Sequence, residues 1–231
     1  MAILLNNPFG KTKGILGNTY LRTTNGKTVV VSRSKRSNGN NSEGELCRKR
    51  KFSITSSFSK HVCRLNLLKE VWGKSRTGSY SSFHEICRCN YGYSSASRPT
   101  ERNIITPEGF PVTISGIILN SSSLSFQLPE LKNFTTISNE ESSISVNVLI
   151  TFFDSFKDEA GPFDIIELTR NIEDYDFEKP FSLRLDFDDE QRQTAQNYKQ
   201  YLLHMAVITI TDQGEIAQHS STFAYSGIPE T

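Results

Sequence analysis

The spacing of apolar residues changes near residue 105. From residue 46 up to this point they recur at steps of three and four, which is the spacing of one apolar helical face. The positions that show it best are Ile54, Phe58, Val62, Leu65, Leu68 and Trp72. They predict a helix over residues 43–72, broken near residues 53–59, and the same spacing predicts a shorter helix over residues 80–89. The two together would form a helical hairpin.

Beyond residue 105 apolar residues alternate with polar ones. Seven segments show this alternation or a short apolar run: VTISGIIL, SLSFQL, SISVNVLITFF, FDIIELT, FSLRLDF, LLHMAVITI and SSTFAYS. One-sided strands bury their apolar face against a second sheet, so we expect an antiparallel β-sandwich of immunoglobulin-like type. The segment DEQRQTAQNYKQ, residues 189–200, instead predicts a polar helical turn between two strands.

The N-terminal residues predict a β-ribbon. Residues 20–24 and 28–33 are rich in β-branched and aromatic side chains, and Asn25-Gly26 between them is a strong hairpin signal. Because an isolated two-stranded ribbon is marginally stable in water, we expect it to rest on another element or another copy of the chain.

These elements predict an α+β fold with two domains. Residues 1–104 would hold the N-terminal β-ribbon plus helical hairpin, and residues 105–231 the C-terminal antiparallel immunoglobulin-like β-sandwich. The segment YGYSSASRPTERN, which ends at Asn103, has the composition of a linker between them.

The charge pattern agrees with a division into two parts. Residues 1–105 carry 19 Lys plus Arg against 5 Asp plus Glu, a difference of +14, and residues 106–231 carry 7 against 20, a difference of −13. The formal net charge of +1 conceals this asymmetry, which indicates an acidic partner for the basic half. No basic segment precedes a long apolar run at the start, and no run approaches about 18 apolar residues, so we expect neither a signal peptide nor a membrane partner.

Two Gly-Lys-Thr triplets, beginning at Gly10 and Gly26, raise the question of a phosphate-binding loop. Such a loop needs another glycine five residues earlier, so that successive backbone N–H groups converge on the phosphates. The chain has Leu5 and Leu21 at those positions. Both triplets fail the spacing test, and no nucleotide cofactor is expected.

The titratable residues do not form a recognisable catalytic or metal-binding motif. The candidate zinc ligands are His61, Cys63, His84, Cys87 and Cys89, and the candidate calcium ligands are the acidic residues within 154–159 and 186–190. The cysteines lack the paired Cys-x-x-Cys spacing, and the acids lack the alternating pattern of a calcium loop. His204 and His219 lie near no nucleophile motif. We therefore expect no enzymatic activity, no cofactor, no bound metal and free thiols, including Cys47.

The cations point to a docking surface. The consecutive RKRK at residues 48–51 would point all round a helix, so it specifies no single stripe facing a nucleic-acid groove. Nucleic acid stays an alternative partner, since neutralised phosphates release counterions, but an acidic protein surface, such as another copy's C-terminal half, fits as well. The predicted partner-binding residues are Tyr20, Arg22, Arg33, Lys35, Arg36, Arg48, Lys49, Arg50 and Lys51. Phe58 and Trp72 would serve as anchors or as ordinary core.

The N-terminal half resembles a known group of proteins. FGKTKGILGNTYLRTTNGKTVVVSRSK, RKRKF, VW and GSYSSFHEICRCN, within residues 9–95, are similar to an uncharacterised family encoded by Bacteroidetes bacteria and by phages. The family has an N-terminal GKxxG arm followed by a Tyr- or Arg-rich strand, a basic helical hairpin and a C-terminal immunoglobulin-like β segment. Here SNGNNSEGE replaces the family's proline-rich linker.

The resemblance implies a phage-associated structural protein. We therefore expect a non-enzymatic component of a bacteriophage virion, made in the host cytoplasm, such as a ring, adaptor, tail or head (capsid) protein. It would assemble as a homo-oligomer through its basic N-terminal arm and contact other virion proteins. The alternative expectation is a nucleic-acid-binding protein that uses the same basic half.

Overall fold

The chain divides into two compact units, Met1–Ser42 and Glu43–Thr231. The computed structural model describes residues 2–4, 14–16, 19–24, 27–32, 42–75, 81–157 and 161–229. The predicted boundary between residues 104 and 105 differs from this division. The helices stay with the C-terminal strands because they share a hydrophobic core with them, as set out below.

The first unit is an antiparallel sheet. Its strands are β1 (Ala2–Leu4), β2 (Gly14–Leu16), β3 (Thr19–Thr24) and β4 (Lys27–Ser32), in the order β1-β4-β3-β2. The predicted ribbon is confirmed as β3 and β4, with Thr24 opposite Lys27. A short strand pairs with each outer side of this ribbon, so the ribbon is not isolated.

The second unit begins with three helices, α1 (Glu43–Arg64), α2 (Asn66–Ser75) and α3 (Ser82–Tyr91). The predicted break near residues 53–59 was wrong, because the break falls at Leu65. Buried Thr55 and Ser59 stay helical by donating their hydroxyls to the carbonyls four residues earlier, at 2.9 and 2.8 Å. None of the described helices is both long enough and apolar enough to cross a membrane.

The rest of the second unit is mostly strand. The elements are β5 (Ser115–Leu119), β6 (Ser123–Leu128), β7 (Glu141–Ser155), β8 (Phe163–Ile172), β9 (Phe181–Asp186), α4 (Asp189–Gln196), β10 (Tyr198–Thr211), β11 (Ile216–His219) and β12 (Phe223–Gly227). Each of the seven predicted segments overlaps one of these strands, and the polar helical turn is α4. The sequence analysis missed β11, which is short and partly polar.

The strands form two antiparallel sheets. One has five strands, in the order β11-β10-β7-β8 with β12 also paired to β10, and the other has the order β5-β6-β9. Helices and antiparallel sheets in one chain confirm the mixed α+β class.

The five-stranded sheet is covered on both faces. Even-numbered residues of β7, such as Val148 and Ile150, share one core with Leu124 and Leu183 of the three-stranded sheet. Odd-numbered Leu149 belongs to a second core with the helices. Successive side chains of a strand point to opposite faces, so the sheet separates two hydrophobic layers.

Because both faces of the sheet are covered, the alternating pattern of β7 does not mark one buried and one solvent-facing side. Its polar residues were expected to face solvent, but Ser145, Asn147 and Thr151 are all buried. The side-chain amide of Asn147 donates a hydrogen bond to the Ser145 hydroxyl at 3.2 Å. The strand alternates between two buried layers, and small polar side chains fit under the helices.

The predicted linker is instead an ordered part of the core. Asn90 of α3 donates to the carbonyl of Ile104 at 2.9 Å and accepts from its N–H at 2.7 Å. Asn103 donates to the carboxamide oxygen of Asn90 at 3.0 Å. Trp72 Nε1 donates to the carbonyl of Ile105 at 2.8 Å. These buried bonds hold the segment against the helices.

Candidate docking surface

The four consecutive cations of α1 point in different directions. Arg48, Lys49 and Arg50 are exposed, and Lys51 is half-buried. Lys49 pairs with Glu45 at 2.8 Å. Lys51 points toward the end of α3, where its ammonium donates to the carbonyl of Gly92 at 3.3 Å. The helix therefore distributes the cluster around its surface, as its spacing predicts.

Two of these cations are available to a partner. Within the described part of the chain, neither Arg48 nor Arg50 has an acidic partner within ion-pair distance. Arg50 borders a depression lined also by Ser97, Pro162 and Phe163. Exposed guanidinium groups form bidentate hydrogen bonds with carboxylates and phosphates alike.

The structure places the other predicted contacts elsewhere. Tyr20 lies half-buried on β3, opposite Val31, and the backbone of Arg22 pairs with Val29. Arg33, Lys35 and Arg36 lie outside the described residues. Phe58 and Trp72 are core residues rather than anchors, since both are buried.

An apolar groove lies between α1 and α3. Its volume is about 510 Å³, and its lining consists of Phe52, His84, Glu85, Cys87, Arg88 and Tyr91. Phe52 is 59% exposed and Tyr91 36% exposed. Lys51 Nζ lies 5.2 Å from the centre of the Tyr91 ring, within cation–π range.

The charges in this groove are arranged around its apolar centre. Arg88 lies 2.5 and 3.2 Å from the two oxygens of the buried Glu85 carboxylate. These hydrogen bonds hold the pKa of Glu85 below its usual range. Arg48 lies one turn before Phe52 and therefore on the same face of α1. The result is an apolar surface with a cationic rim.

The sequence analysis missed Phe52 and Tyr91. Phe52 lies two residues before Ile54, which puts it on the opposite side of the helix from the buried stripe. An apolar residue off the stripe was the available signal. Tyr91 was assigned to the linker because α3 was expected to end at residue 89.

A second depression, also about 510 Å³, is polar. It lies between the segment after α3 and the ends of β10 and β12, and includes Tyr93, Arg98, Glu101, Arg102 and Gln200. The Arg98 guanidinium lies 3.8 Å from the centre of the Phe153 ring, and Glu101 accepts a hydrogen bond from Ser226. These two charged groups are engaged with the protein itself.

A charged cluster joins α1 to β8. His61 Nδ1 lies 2.7 Å from a carboxylate oxygen of Glu167, and Arg64 donates to the same oxygen at 3.0 Å. Burial alone would raise the pKa of Glu167, but the hydrogen bonds from His61 and Arg64 outweigh it and lower the pKa. The cluster fixes the helix on the sheet.

Burial shifts the pKa values of four further groups. Burial lowers the pKa of His204 to about 4, so the imidazole is neutral at pH 7, and its Nε2 lies 3.1 Å from the carbonyl of Thr100. Burial raises the pKa of the Cys63, Cys87 and Cys89 thiols, which lowers their reactivity. Among the described residues, no group of three or more His, Cys, Asp or Glu side chains is arranged to hold a metal ion.

Comparison with known proteins gives little help. No family model and no curated protein matches the chain. Among solved structures, a GH3 β-glucosidase from Bifidobacterium adolescentis aligns with 11% identity and a TM-score of 0.25, over 62% of this chain and 20% of the enzyme. A β-glucosidase from Kluyveromyces marxianus in complex with glucose aligns with 12% identity and a TM-score of 0.20, over 58% and 16%. Scores this low transfer neither fold nor activity.

Proposed function

We propose that this protein is a non-enzymatic structural component of an assembly, and that the assembly is a phage virion. The virion setting comes from the resemblance of the N-terminal half. In this proposal the protein is made in the host cytoplasm, forms a homo-oligomer and contacts other virion proteins. Its role is to hold neighbours together by charge and apolar contact.

The observation that carries the proposal is the separation of charge along the chain. Residues 1–42 hold 7 Lys plus Arg and no Asp or Glu, whereas residues 106–231 hold 20 acids. In the helical layer, Arg48 and Arg50 are exposed, and among the described residues neither has an acidic partner within ion-pair distance. Opposite surfaces on one chain favour contacts between copies, because complementary potentials steer association and fix orientation.

We propose that two groups of basic residues form two different contacts. The N-terminal unit, with Tyr20, Arg22, Arg33, Lys35 and Arg36, would act as the docking arm onto an acidic neighbour. The cations at residues 48–51 would border the second contact, next to the apolar groove. Heterologous contacts of this kind close into rings when the rotation between copies allows.

We also propose that the strand-rich part is an immunoglobulin-like sandwich. Two observations support this: the two sheets share one core, and their strand orders resemble that fold, without a strand D among the described residues. With β5, β6, β7, β8, β9, β10 and the β11–β12 edge lettered A, B, C, C′, E, F and G, the sheets read A-B-E and G-F-C-C′. The helical layer would then be an addition that covers the outer face of the G-F-C-C′ sheet.

The test is the mass of the purified full-length protein by light scattering, at low and high salt, with and without a short DNA duplex. We expect a discrete oligomer without DNA that dissociates at high salt, because screening weakens exposed charge pairs. Replacing residues 48–51 by glutamine should shift the equilibrium toward monomer. A matched variant, Lys60→Gln with Lys69→Gln, removes exposed cations from the same helical layer and should not.

Two outcomes would contradict the proposal. A monomer under all conditions removes the assembly role. A monomer that gains mass only with DNA, and loses it at high salt, would indicate the nucleic-acid-binding alternative, since phosphate contacts are strongly salt-dependent.

A further inference from the structure

The groove between α1 and α3 exposes apolar surface of the helical layer. Phe52 lies with more than half of its surface in solvent, beside Tyr91 and the half-buried thiol of Cys87. An exposed aromatic cluster surrounded by charged residues is typical of a surface that is covered in a complex. The groove therefore needs an apolar occupant that tolerates cations around it.

The strand-rich half offers a side chain of this kind. Phe156 follows β7 and is 65% exposed, and Lys199 Nζ lies 5.4 Å from the centre of its ring. Residues 154–164 around it carry four acids and one lysine. An aromatic residue in an acidic segment is complementary to an apolar groove with a cationic rim.

The backbone before Phe156 is unusual. Asp154 has a φ of 61°, in the left-handed region that favours glycine. A non-glycine residue held in this region is a feature associated with functional sites. Asp154 lies near the end of β7, two residues before the exposed ring.

We propose that the Phe156 end of the β7–β8 hairpin of one copy inserts into the α1–α3 groove of a second copy. The Phe156 ring contacts Phe52 and Tyr91, and the cations of the rim face the acids of the hairpin. The inference rests on the proposed function, because it identifies the occupant of the second contact in the assembly. Burial of an aromatic pair at the centre of a charged rim is the usual arrangement of an interface hot spot.

A double-mutant cycle on the full chain tests the contact. The variants are Phe52→Gln, Phe156→Gln and their combination, and the readout is the dissociation constant of the oligomer by analytical ultracentrifugation. Each single variant should weaken association by about 30-fold or more, as expected for a hot spot. The dissociation constant of the double variant should be no larger than the larger of the two single-variant values, because both substitutions remove the same contact.

Ile228→Gln is the matched control, since Ile228 is 74% exposed and also lies in the strand-rich half. It should leave the dissociation constant within about threefold of the wild type, as surface substitutions outside a contact usually do. Circular dichroism of each variant should match the wild type, because both phenylalanines are exposed.

Each other result overturns the inference in an identifiable way. Independent effects of the two substitutions would mean that the residues do not touch. An effect of Phe52→Gln alone would assign the groove to another occupant. If glutamines at residues 48–51 dissociate the oligomer while both phenylalanine variants do not, the proposed function survives and this contact does not. A wild-type monomer removes both.

Discussion

His204 gives the protein a pH-dependent stability. Its imidazole is completely buried, packs edge-on against Phe58 with ring centres 5.3 Å apart, and has a native pKa of about 4. The unfolded chain should protonate it near pH 6.5. Between these values the unfolded state binds more protons than the native state, so the free energy of unfolding falls as pH falls from 6.5 to 4. The loss amounts to about 3 kcal/mol.

The variant His204→Gln should remove most of this pH dependence, because glutamine does not titrate. Urea unfolding at several pH values between 7.5 and 4.5 measures it. His219→Gln is the control: burial also lowers the pKa of His219, but that side chain is only partly buried, so most of the slope should remain. Equal slopes in wild type and His204→Gln would assign the pH dependence to other groups.

Two phenylalanines on α1 should differ sharply in their contribution to stability. Phe58 is completely buried in the core between helices and sheet, and Phe52 is exposed. Phe58→Ala should lower the free energy of unfolding by about 3–5 kcal/mol, and Phe52→Ala should change it by less than about 0.5 kcal/mol. Chemical unfolding at a protein concentration that keeps the chain monomeric measures both. Similar losses would mean that Phe52 also belongs to the core.

At the scale of elements, Gly109 allows the segment after the helices to join the five-stranded sheet. Phe110 N–H donates to the carbonyl of His219 at 3.1 Å, and Ser221 N–H donates to that of Phe110 at 2.8 Å. A Cβ on Gly109 would lie 2.3 Å from the carbonyl oxygen of His219. Because that atom is backbone, the strand itself would have to move.

Gly109→Ala should therefore destabilise the protein by about 1–3 kcal/mol. Gly92→Ala is the matched control, since its Cβ would meet nothing within 4 Å and its φ is −62°. That change should be neutral or stabilise by up to about 1 kcal/mol through the unfolded state. Urea midpoints of the two variants measure the difference. A midpoint for Gly109→Ala equal to that of the wild type would show that the close approach relaxes at little cost.

Elements were predictable where a local pattern determines them. The period-two segments located seven strands, and the polar run before β10 located α4. The serine-rich composition of residues 53–59 was misleading, because Thr55 and Ser59 donate their hydroxyls to carbonyls of the same helix. The break between α1 and α2 falls instead at Leu65. The segment after α3 has the composition of a linker. Its hydrogen bonds to buried Asn90, from Asn103 and Ile104, make it part of the core.

At the scale of the molecule, residues 43–231 should fold without the first unit, because the division falls at Ser42. Residues 105–231 should not, because removal of the helices exposes Leu149, Ala206 and Ile208, which are buried in the full chain. We expect the longer fragment to unfold cooperatively and the shorter one to aggregate. Circular dichroism melts and size-exclusion chromatography of the two fragments measure this. A monomeric, cooperatively folded 105–231 would support the predicted boundary.

The candidate site was only partly predictable for the same reason. The cations at residues 48–51 were evident in the sequence, but the groups that each of them contacts depend on which elements pack beside α1. Lys51 donates to the carbonyl of Gly92, and Arg50 lines the same depression as Pro162. No local pattern encodes either arrangement. The groove depends on the approach of α3 to α1, which only the shared core determines.

The double covering of the five-stranded sheet also affects how its strands find their partners. A strand with one apolar face carries its alignment in its pattern, because a slip by one residue would turn that face to water. In β7 both faces are buried, so a slip of β7 by one residue against its neighbouring strands would still bury apolar side chains. Thr169 lies opposite Asn147 and donates its hydroxyl to the Asn147 carboxamide oxygen at 3.4 Å, and His204 Nε2 lies 3.1 Å from the carbonyl of Thr100. A shifted pairing would separate these groups. The few polar residues in this sheet thus carry the information that the apolar ones lack.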